Sequence, residues 1–184
     1  MDFNEIARRF EVRKLSFENP VKSFNCGDVD LNDFILNEAT LYQKAMLAVS
    51  YVFGEKETKQ TIAFFSLAND KVSLSDFDNK TEFNRFRKKR FVNEKRLRSY
   101  PAVKICRLGV DESLKGMSIG TILLKFIKTF FVKDNKTGCR FITVDAYSNA
   151  ISFYERNGFI PLNDDDKDER TRLLYFDLYD VMDE

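Results

Sequence analysis

One stretch constrains the fold more than any other: a strand-like run over 102–110 passes through a small-residue loop into an apolar, helix-like run over 119–132. A strand, a short loop and a helix in this order direct free backbone N–H groups and a helix N-terminus at one point, which suits a phosphate group. Gly109, inside the strand-like run, predicts a bulge or the close approach of a ligand. The loop reads Lys115-Gly116-Met117-Ser118-Ile119-Gly120.

Length and composition indicate how many domains the chain forms and whether it binds nucleic acid or membranes. A chain of 184 residues is long enough to bury a sizeable core, so we expect a single domain over 1–184. Lysine and arginine number 30 and aspartate and glutamate 29, so contact with nucleic acid has to come from a local basic surface. The sequence has no apolar run of membrane length and no signal peptide, which predicts a cytoplasmic protein that does not contact membranes.

The chain contains three cysteines and no histidine. The cysteines lack the paired spacing of a zinc site, and their odd number argues against a disulfide framework, so we expect reduced thiols and no metal. The missing histidine also removes the commonest general base at neutral pH. An acidic cluster at 164–169 is interpreted as a solvated hairpin loop rather than as a cation site.

Hydrophobic periodicity predicts a chain that mixes strands and helices. Apolar residues at helical spacing follow Asp28, which suits an N-cap, and predict a helix to about Lys44. β-branched and aromatic runs predict a hairpin over 47–67, whereas the polar residues 69–81 are expected to form a loop. Further strands are predicted at 12–17, 102–110, 141–146, 159–161 and 173–179, and further helices at 119–132 and 149–157.

The most basic part of the chain lies between residues 81 and 100. Eight lysines and arginines stand there against two glutamates, a local charge of +6 in a nearly neutral protein. Such a run is either a solvated face with phenylalanines docking it from behind, or a surface for the phosphates of RNA or a cofactor. The candidate substrate or RNA residues are Arg85, Arg87, Lys88, Lys89, Arg90 and Arg96.

A second motif lies downstream of the glycine loop. Residues 150–159 read Ala-Ile-Ser-Phe-Tyr-Glu-Arg-Asn-Gly-Phe. This motif and the glycine loop resemble the two signatures of the GCN5-related N-acetyltransferase (GNAT) superfamily, A-x-x-x-Y-E-x-x-G-F and Arg/Gln-x-x-Gly-x-Gly/Ala. The resemblance covers about 102–160. It implies an α/β fold with a central mixed, mainly antiparallel sheet of six or seven strands flanked by helices.

The resemblance also implies an activity, the direct transfer of an acetyl group from acetyl-CoA to a primary amine. Tyr154 matches the family's tyrosine that protonates the leaving thiolate, and a phenol with a pKa of about 10 is a competent donor. The alternative for Tyr154 is an aromatic side chain packed on the sheet. The general base stays open between Asp111, Glu112, Asp145 and a chain of waters. The residues implied to bind the cofactor are Leu108, Gly109, Val110, Lys115, Gly116, Met117, Ser118, Ile119, Gly120 and Thr121.

Two positions of the loop depart from the family pattern. Lys115 replaces the usual arginine or glutamine, which keeps the charge but loses the guanidinium fork. Ser118 replaces a glycine. A positive φ at Ser118 would cost on the order of 1 kcal/mol, whereas a negative φ would leave the hydroxyl as an additional donor to phosphate.

The residues at 24–34 and at 107–111 resemble the GNAT branch that includes toxins of toxin–antitoxin pairs. That resemblance implies aminoacyl-tRNA as the acceptor, an antitoxin as a partner and a homodimer, with the basic stretch contacting tRNA. Two other interpretations stay open. One is an acetyltransferase for a small metabolite amine or a protein amine, and the other is a degenerate GNAT module that binds CoA or RNA without catalysis.

Overall fold

The computed structural model describes residues 8–133, 137–163 and 170–182. Its helices are α1 (Val29–Asp33), α2 (Ala39–Lys44), α3 (Lys80–Arg90), α4 (Ile119–Lys133) and α5 (Ile151–Arg156), with a π-helical turn, Phe34–Glu38, between α1 and α2. Its strands are β1 (Phe10–Lys14), β2 (Val49–Glu55), β3 (Thr61–Ser73), β4 (Ser99–Val110), β5 (Phe141–Tyr147), β6 (Ile160–Pro161) and β7 (Thr171–Asp177).

In the described part of the chain the strands form one mixed sheet of seven, in the order β1-β2-β3-β4-β5-β7-β6. Strands β4 and β5 run parallel, with Ala102 opposite Phe141. The pairs β1–β2, β2–β3, β5–β7 and β6–β7 are antiparallel. A parallel pair needs a crossover connection, and α4 provides it. The sheet and its helices confirm the predicted α/β class and the predicted number of strands.

The chain divides into two compact units, Met1–Ala68 with Ile105–Lys125 and Asn69–Lys104 with Phe126–Glu184. The expectation of a single domain stays a prediction. In the first unit α1 begins at Asp28, whose carboxylate accepts a hydrogen bond from the amide of Leu31 at 3.0 Å, as the sequence predicts. The buried core of this unit is formed by Leu15, Val21, Phe24, Cys26, Phe34, Ile35, Ala39, Val52 and Phe64.

Aromatic side chains build the core of the second unit. Phe83 and Phe86 face inward from α3 and are buried, and Phe86 packs against Phe141 with ring centroids 5.6 Å apart. Phe91 stacks on Tyr100 at 4.1 Å. The phenylalanines scattered through the basic stretch therefore dock α3, which is the role that the solvated-face interpretation gives them.

The predicted loop over 69–81 is wrong at its start, because β3 continues to Ser73. Exposed Asn69 and Lys71 alternate there with the less exposed Asp70 and Val72, as in a strand with one buried face. The Asp70 carboxylate accepts a hydrogen bond from the hydroxyl of Thr143, which is buried in β5. A run of polar residues can therefore form a strand, because the buried hydroxyl of Thr143 provides a hydrogen bond to the carboxylate of Asp70.

Two further findings concern the described residues only. None of their helices is both long enough and apolar enough to cross a lipid bilayer. They also contain no group of three or more cysteine, aspartate or glutamate side chains placed to hold a metal ion. The acidic cluster at 164–169 lies outside the described residues.

Candidate active site

The glycine loop joins the end of β4 to the start of α4, within the first unit. Residues 115–118 are exposed, and α4 begins directly after them at Ile119. The first amides of an α-helix have no partner within the helix, so the N–H groups of 119–121 suit an anion. The loop therefore has the local form that the sequence predicts for a phosphate site.

The backbone of this loop is left-handed at two positions. Gly116 has a φ of +84° and Ser118 a φ of +60°. A Cβ added at Gly116 would meet nothing within 4 Å, so the glycine serves the backbone rather than close packing. At Ser118 the alternative of a negative φ is wrong. The serine occupies a conformation that disfavours side chains, and its carbonyl accepts the first helical hydrogen bond, from Ile122 at 3.1 Å.

Backbone hydrogen bonds fix the entrance to the loop. The amide of Asp111 donates to the carbonyl of Ile62, and the amide of Glu112 donates to the carbonyl of Asn25, both at 2.8 Å. The Lys115 ammonium lies 3.4 Å from the Glu112 carboxylate, and both side chains are more than half exposed. An ion pair this exposed contributes little, so it opposes only weakly a movement of Lys115 toward an anion.

Gly109 is buried in β4, and packing explains why it is a glycine. A Cβ at this position would lie 2.7 Å from a ring carbon of Phe64 and 3.4 Å from one of Phe24. The sequence instead explained this glycine by a bulge or a ligand. Leu108 and Val110 are partly buried on either side. The cofactor contacts implied for these three residues stay a prediction.

Tyr154 lies in α5, within the second unit, and takes part in ending that helix. The amide of Phe159 donates to the carbonyl of Tyr154 at 3.1 Å, and the amide of Gly158 donates to the carbonyl of Glu155 at 2.9 Å. Gly158 has a φ of +81°. This pair of bonds around a left-handed glycine is a Schellman motif, and its usual apolar contact is present, since the rings of Tyr154 and Phe159 lie 5.4 Å apart. The spacing of the Y-E-x-x-G-F motif thus encodes a helix end that fixes Tyr154.

The Tyr154 side chain is buried, with 6% of its surface exposed. Burial disfavours the phenolate and so raises the pKa of Tyr154 well above its ordinary value. The phenol therefore stays protonated at neutral pH, as a proton donor requires. Burial is equally what the packing interpretation predicts, and the catalytic role of Tyr154 stays a prediction.

Each carboxylate considered as a general base has a neighbour that holds it. Asp111 accepts hydrogen bonds from the amide of Ser113 at 3.0 Å and from its hydroxyl at 2.6 Å. Glu112 pairs with Lys115, as described above, and Asp145 forms an ion pair with Lys104. The geometry favours none of the three over the others or over water.

Three guanidinium groups of the basic stretch are engaged inside the second unit. Arg87 donates to the carbonyl oxygens of Arg96 and Leu97, each at 3.2 Å. Arg90 donates to the hydroxyl of Tyr175 and lies 3.5 Å from the Asp177 carboxylate. Arg96 donates to a carbonyl oxygen at 3.3 Å. The guanidinium groups of these three arginines are thus bound by acceptors within the protein itself.

The other three candidates share one surface of α3. Arg85, Lys88 and Lys89 are exposed and line an open groove of about 420 Å³ together with Thr81 and Asn84. The side-chain oxygen of Asn84 is buried and has no hydrogen-bond partner among the described residues. We call this surface the α3 groove. The prediction of RNA contact stays a prediction, and the α3 groove is where it applies.

Sequence reasoning missed two residues. Asp70 was assigned to a loop, and only the alternating exposure of the strand reveals it. Lys128, in the middle of α4, donates to the carbonyl of Asn157 at 2.6 Å, directly after α5. A lysine in the middle of an apolar helix carries a signal, because a cation that is partly buried there needs a partner, but the sequence alone does not identify that partner.

Solved structures with the same fold include mutants and complexes of two proteins, KacT and AtaT. A tyrosine-to-phenylalanine mutant of KacT has a TM-score of 0.76 and 19% identity, over 95% of this chain and 98% of that chain. AtaT complexed with acetyl-methionyl-tRNAfMet has a TM-score of 0.69 and 19% identity, over 94% and 97%. A tyrosine-to-phenylalanine mutant of the AtaT toxin, bound to the C-terminus of the antitoxin AtaR and to acetyl-CoA, has a TM-score of 0.66 and 18% identity, over 94% and 96%. Likeness at these identities shows a shared fold.

A family match goes further than the shared fold. Residues 51–177 match the family described as the acetyltransferase (GNAT) domain. The matched range covers more than half of the sequence and includes both the glycine loop and the motif that carries Tyr154. The chain therefore belongs to the GNAT family and is an N-acetyltransferase.

Proposed function

We propose that this N-acetyltransferase moves an acetyl group from acetyl-CoA to the α-amine of an aminoacyl-tRNA. The observation that carries the catalytic step is the placement of Tyr154, a phenol of the family motif that the Schellman end of α5 holds in a fixed position. A leaving thiolate needs a proton or a hydrogen bond, and a phenol that is protonated at neutral pH supplies it.

In this proposal residues 115–121 bind the pyrophosphate of acetyl-CoA. The loop is exposed, its left-handed residues Gly116 and Ser118 turn the chain into α4, and α4 is 15 residues long, so its positive end favours an anion. Lys115 adds a cation beside it. These features fit the cofactor, which supplies the reactive thioester when bound.

The chain's own contribution to the transfer is a proton from the Tyr154 hydroxyl. The substrate amine attacks the thioester carbonyl, so that a C–N bond forms and the C–S bond breaks. The Tyr154 hydroxyl donates its proton to the departing sulfur. The proton that the amine loses returns the phenol to its neutral form through water.

The residue composition favours an α-amine as the acceptor. An α-amino group has a pKa of about 8, against about 10.4 for a lysine side chain, so much more of it is neutral and reactive at pH 7. The chain has no histidine to act as a base. Since each candidate carboxylate is already held by a neighbour, a substrate that needs no dedicated base fits this protein best.

The α3 groove supports RNA as the carrier of that amine. Its three exposed cations suit phosphates. The likeness to AtaT, which was solved with acetyl-methionyl-tRNAfMet, supports the same acceptor class.

The same likeness supports the proposal of a protein partner. The AtaT toxin binds the C-terminus of AtaR, which supports an antitoxin as a partner of this chain. The homodimer implied by the resemblance stays a prediction.

The proposal is tested by release of CoA from acetyl-CoA with three acceptors: charged bulk tRNA, uncharged tRNA, and a panel of free amines and lysine peptides. We expect release that depends on charged tRNA, and a fall of at least about 100-fold in kcat for Tyr154→Phe with unchanged binding of acetyl-CoA. Release with a small amine or a peptide only would assign a metabolite or protein acetyltransferase instead. Bound acetyl-CoA without release to any acceptor would favour a non-catalytic module, and full activity of Tyr154→Phe would remove the tyrosine from the mechanism.

A further inference from the structure

The helix that carries Tyr154 has little to hold it in place by itself. α5 contains six residues, and its N-cap, Ala150, offers no side-chain hydrogen bond. A helix this short is unstable in isolation, because the cost of nucleation outweighs the few bonds that follow. Contacts made at the other end of α5 therefore contribute to the position of Tyr154.

Lys128 makes such a contact from α4. Its ammonium donates to the carbonyl of Asn157, the C-cap residue of α5, at 2.6 Å. A cation at a helix C-terminus is stabilising, since it faces the negative end of the helix dipole and satisfies a carbonyl that has no partner within the helix.

The same ammonium also lies among the aromatic rings that surround the helix end. It is 3.5 Å from the ring centroid of Phe176 and 5.4 Å from that of Phe159. Phe159 in turn packs on the ring of Tyr154. Lys128 thus touches both features that fix Tyr154, which are the Schellman end of α5 and the ring that completes it.

We propose that Lys128 is a positioning residue for Tyr154. Its ammonium binds the carbonyl at the end of α5 and contacts the Phe159 ring, and it thereby holds the phenol in its reactive orientation. The inference rests on the proposed role of Tyr154 as the proton donor. It assigns to Lys128 no contact with substrate or cofactor.

Lys128→Met tests the inference, because methionine keeps an unbranched apolar stem and removes both the cation and the donor. We expect kcat to fall by about 10- to 100-fold, since a small misplacement of a catalytic group has effects of this size, while the KM for acetyl-CoA stays the same. Lys128→Arg, which keeps a cation and a donor, restores most of kcat. Lys133→Met is the matched control, an exposed lysine at the end of the same helix, and keeps the wild-type kcat.

The decisive readout is a double-mutant cycle with Tyr154→Phe. If Lys128 acts through Tyr154, adding Lys128→Met to Tyr154→Phe lowers the residual rate no further. A further loss of the same factor in the double mutant, or an unchanged kcat in the folded single variant, overturns the inference and leaves the role of Tyr154 intact. A wild-type rate in Tyr154→Phe contradicts the proposed function itself. If Lys128→Met does not fold, Lys128→Gln takes its place in the cycle, since it keeps a donor without the charge.

Discussion

Ser118 and Gly116 both adopt left-handed backbone conformations in the glycine loop, and only one of them is a glycine. A Cβ in that region costs about 1–2 kcal/mol, and glycine avoids this cost but loses more conformational entropy on folding. The loop therefore stores strain at the position where the family pattern has its first glycine. Strain of this kind is common where a backbone has to approach a ligand.

We expect Ser118→Gly to raise the free energy of unfolding by about 0.5–1 kcal/mol, because it removes the Cβ from a left-handed residue. Urea denaturation measures the change. Gly116→Ala is the opposite control, and we expect a loss of similar size, since its φ of +84° disfavours any side chain. A Ser118→Gly variant less stable than the wild type would show that the serine side chain contributes more than its backbone costs.

At the residue scale the sequence identified roles that depend on neighbouring residues better than roles that depend on distant ones. It singled out Asp28 as an N-cap and ended a short helix at residue 157, directly before Gly158, since such boundaries depend on local geometry that residue type reveals. It could not explain Gly109, because the Phe64 ring that fills its space lies far away in the sequence. For the same reason it missed Lys128, whose partner, the carbonyl of Asn157, lies directly after a later helix.

At the scale of elements, α3 has two faces: one packs into the core of the second unit, and the other carries the exposed cations of the α3 groove. Its N-terminus is capped by Asn79, whose side chain accepts from the amides of Thr81 and Glu82 at 2.9 and 3.0 Å. Phe83 and Phe86 dock it, and the arginines nearest the core have structural partners. Sequence alone treated its cations as one group, because nothing in their spacing says which guanidinium groups have internal acceptors.

The α3 groove carries the element-scale prediction. We expect the combined variant Arg85→Gln, Lys88→Gln and Lys89→Gln to raise the KM for charged tRNA by about 10-fold or more. We also expect a weaker salt dependence, by about one power of salt concentration for each tRNA phosphate that the variant no longer neutralises. The KM for acetyl-CoA should not change. Steady-state rates at several salt concentrations measure both effects.

The control for that experiment removes the same charge elsewhere. Lys14, Lys22 and Lys44 are exposed and lie outside the α3 groove, so their combined change to glutamine tests overall charge alone. Equal effects of the two triple variants would show that the groove has no special role. No effect of either would place the contact with RNA on another surface.

At the scale of the whole molecule, the order of strands and helices followed from periodicity and from two motifs. Alternation and helical spacing are local properties, and they placed six of the seven strands with small errors at their ends. The extent of β3 was underestimated, since a buried partner for Asp70 is a tertiary fact. The resemblance to a family implied a mixed, mainly antiparallel sheet, but the order of its strands was not predicted, because sequence periodicity does not specify which strands become neighbours.

The central claim is that Tyr154 assists acetyl transfer to the amine of an aminoacyl-tRNA. The most direct measurement is mass spectrometry of the aminoacyl-adenosine released by nuclease from charged tRNA, after incubation with acetyl-CoA and either wild type or Tyr154→Phe. We predict a mass increase of one acetyl group on the amino acid with the wild type, and almost none with Tyr154→Phe in the same time. An unmodified aminoacyl-adenosine with the wild-type protein, under conditions where CoA is released to another amine, would contradict the claim.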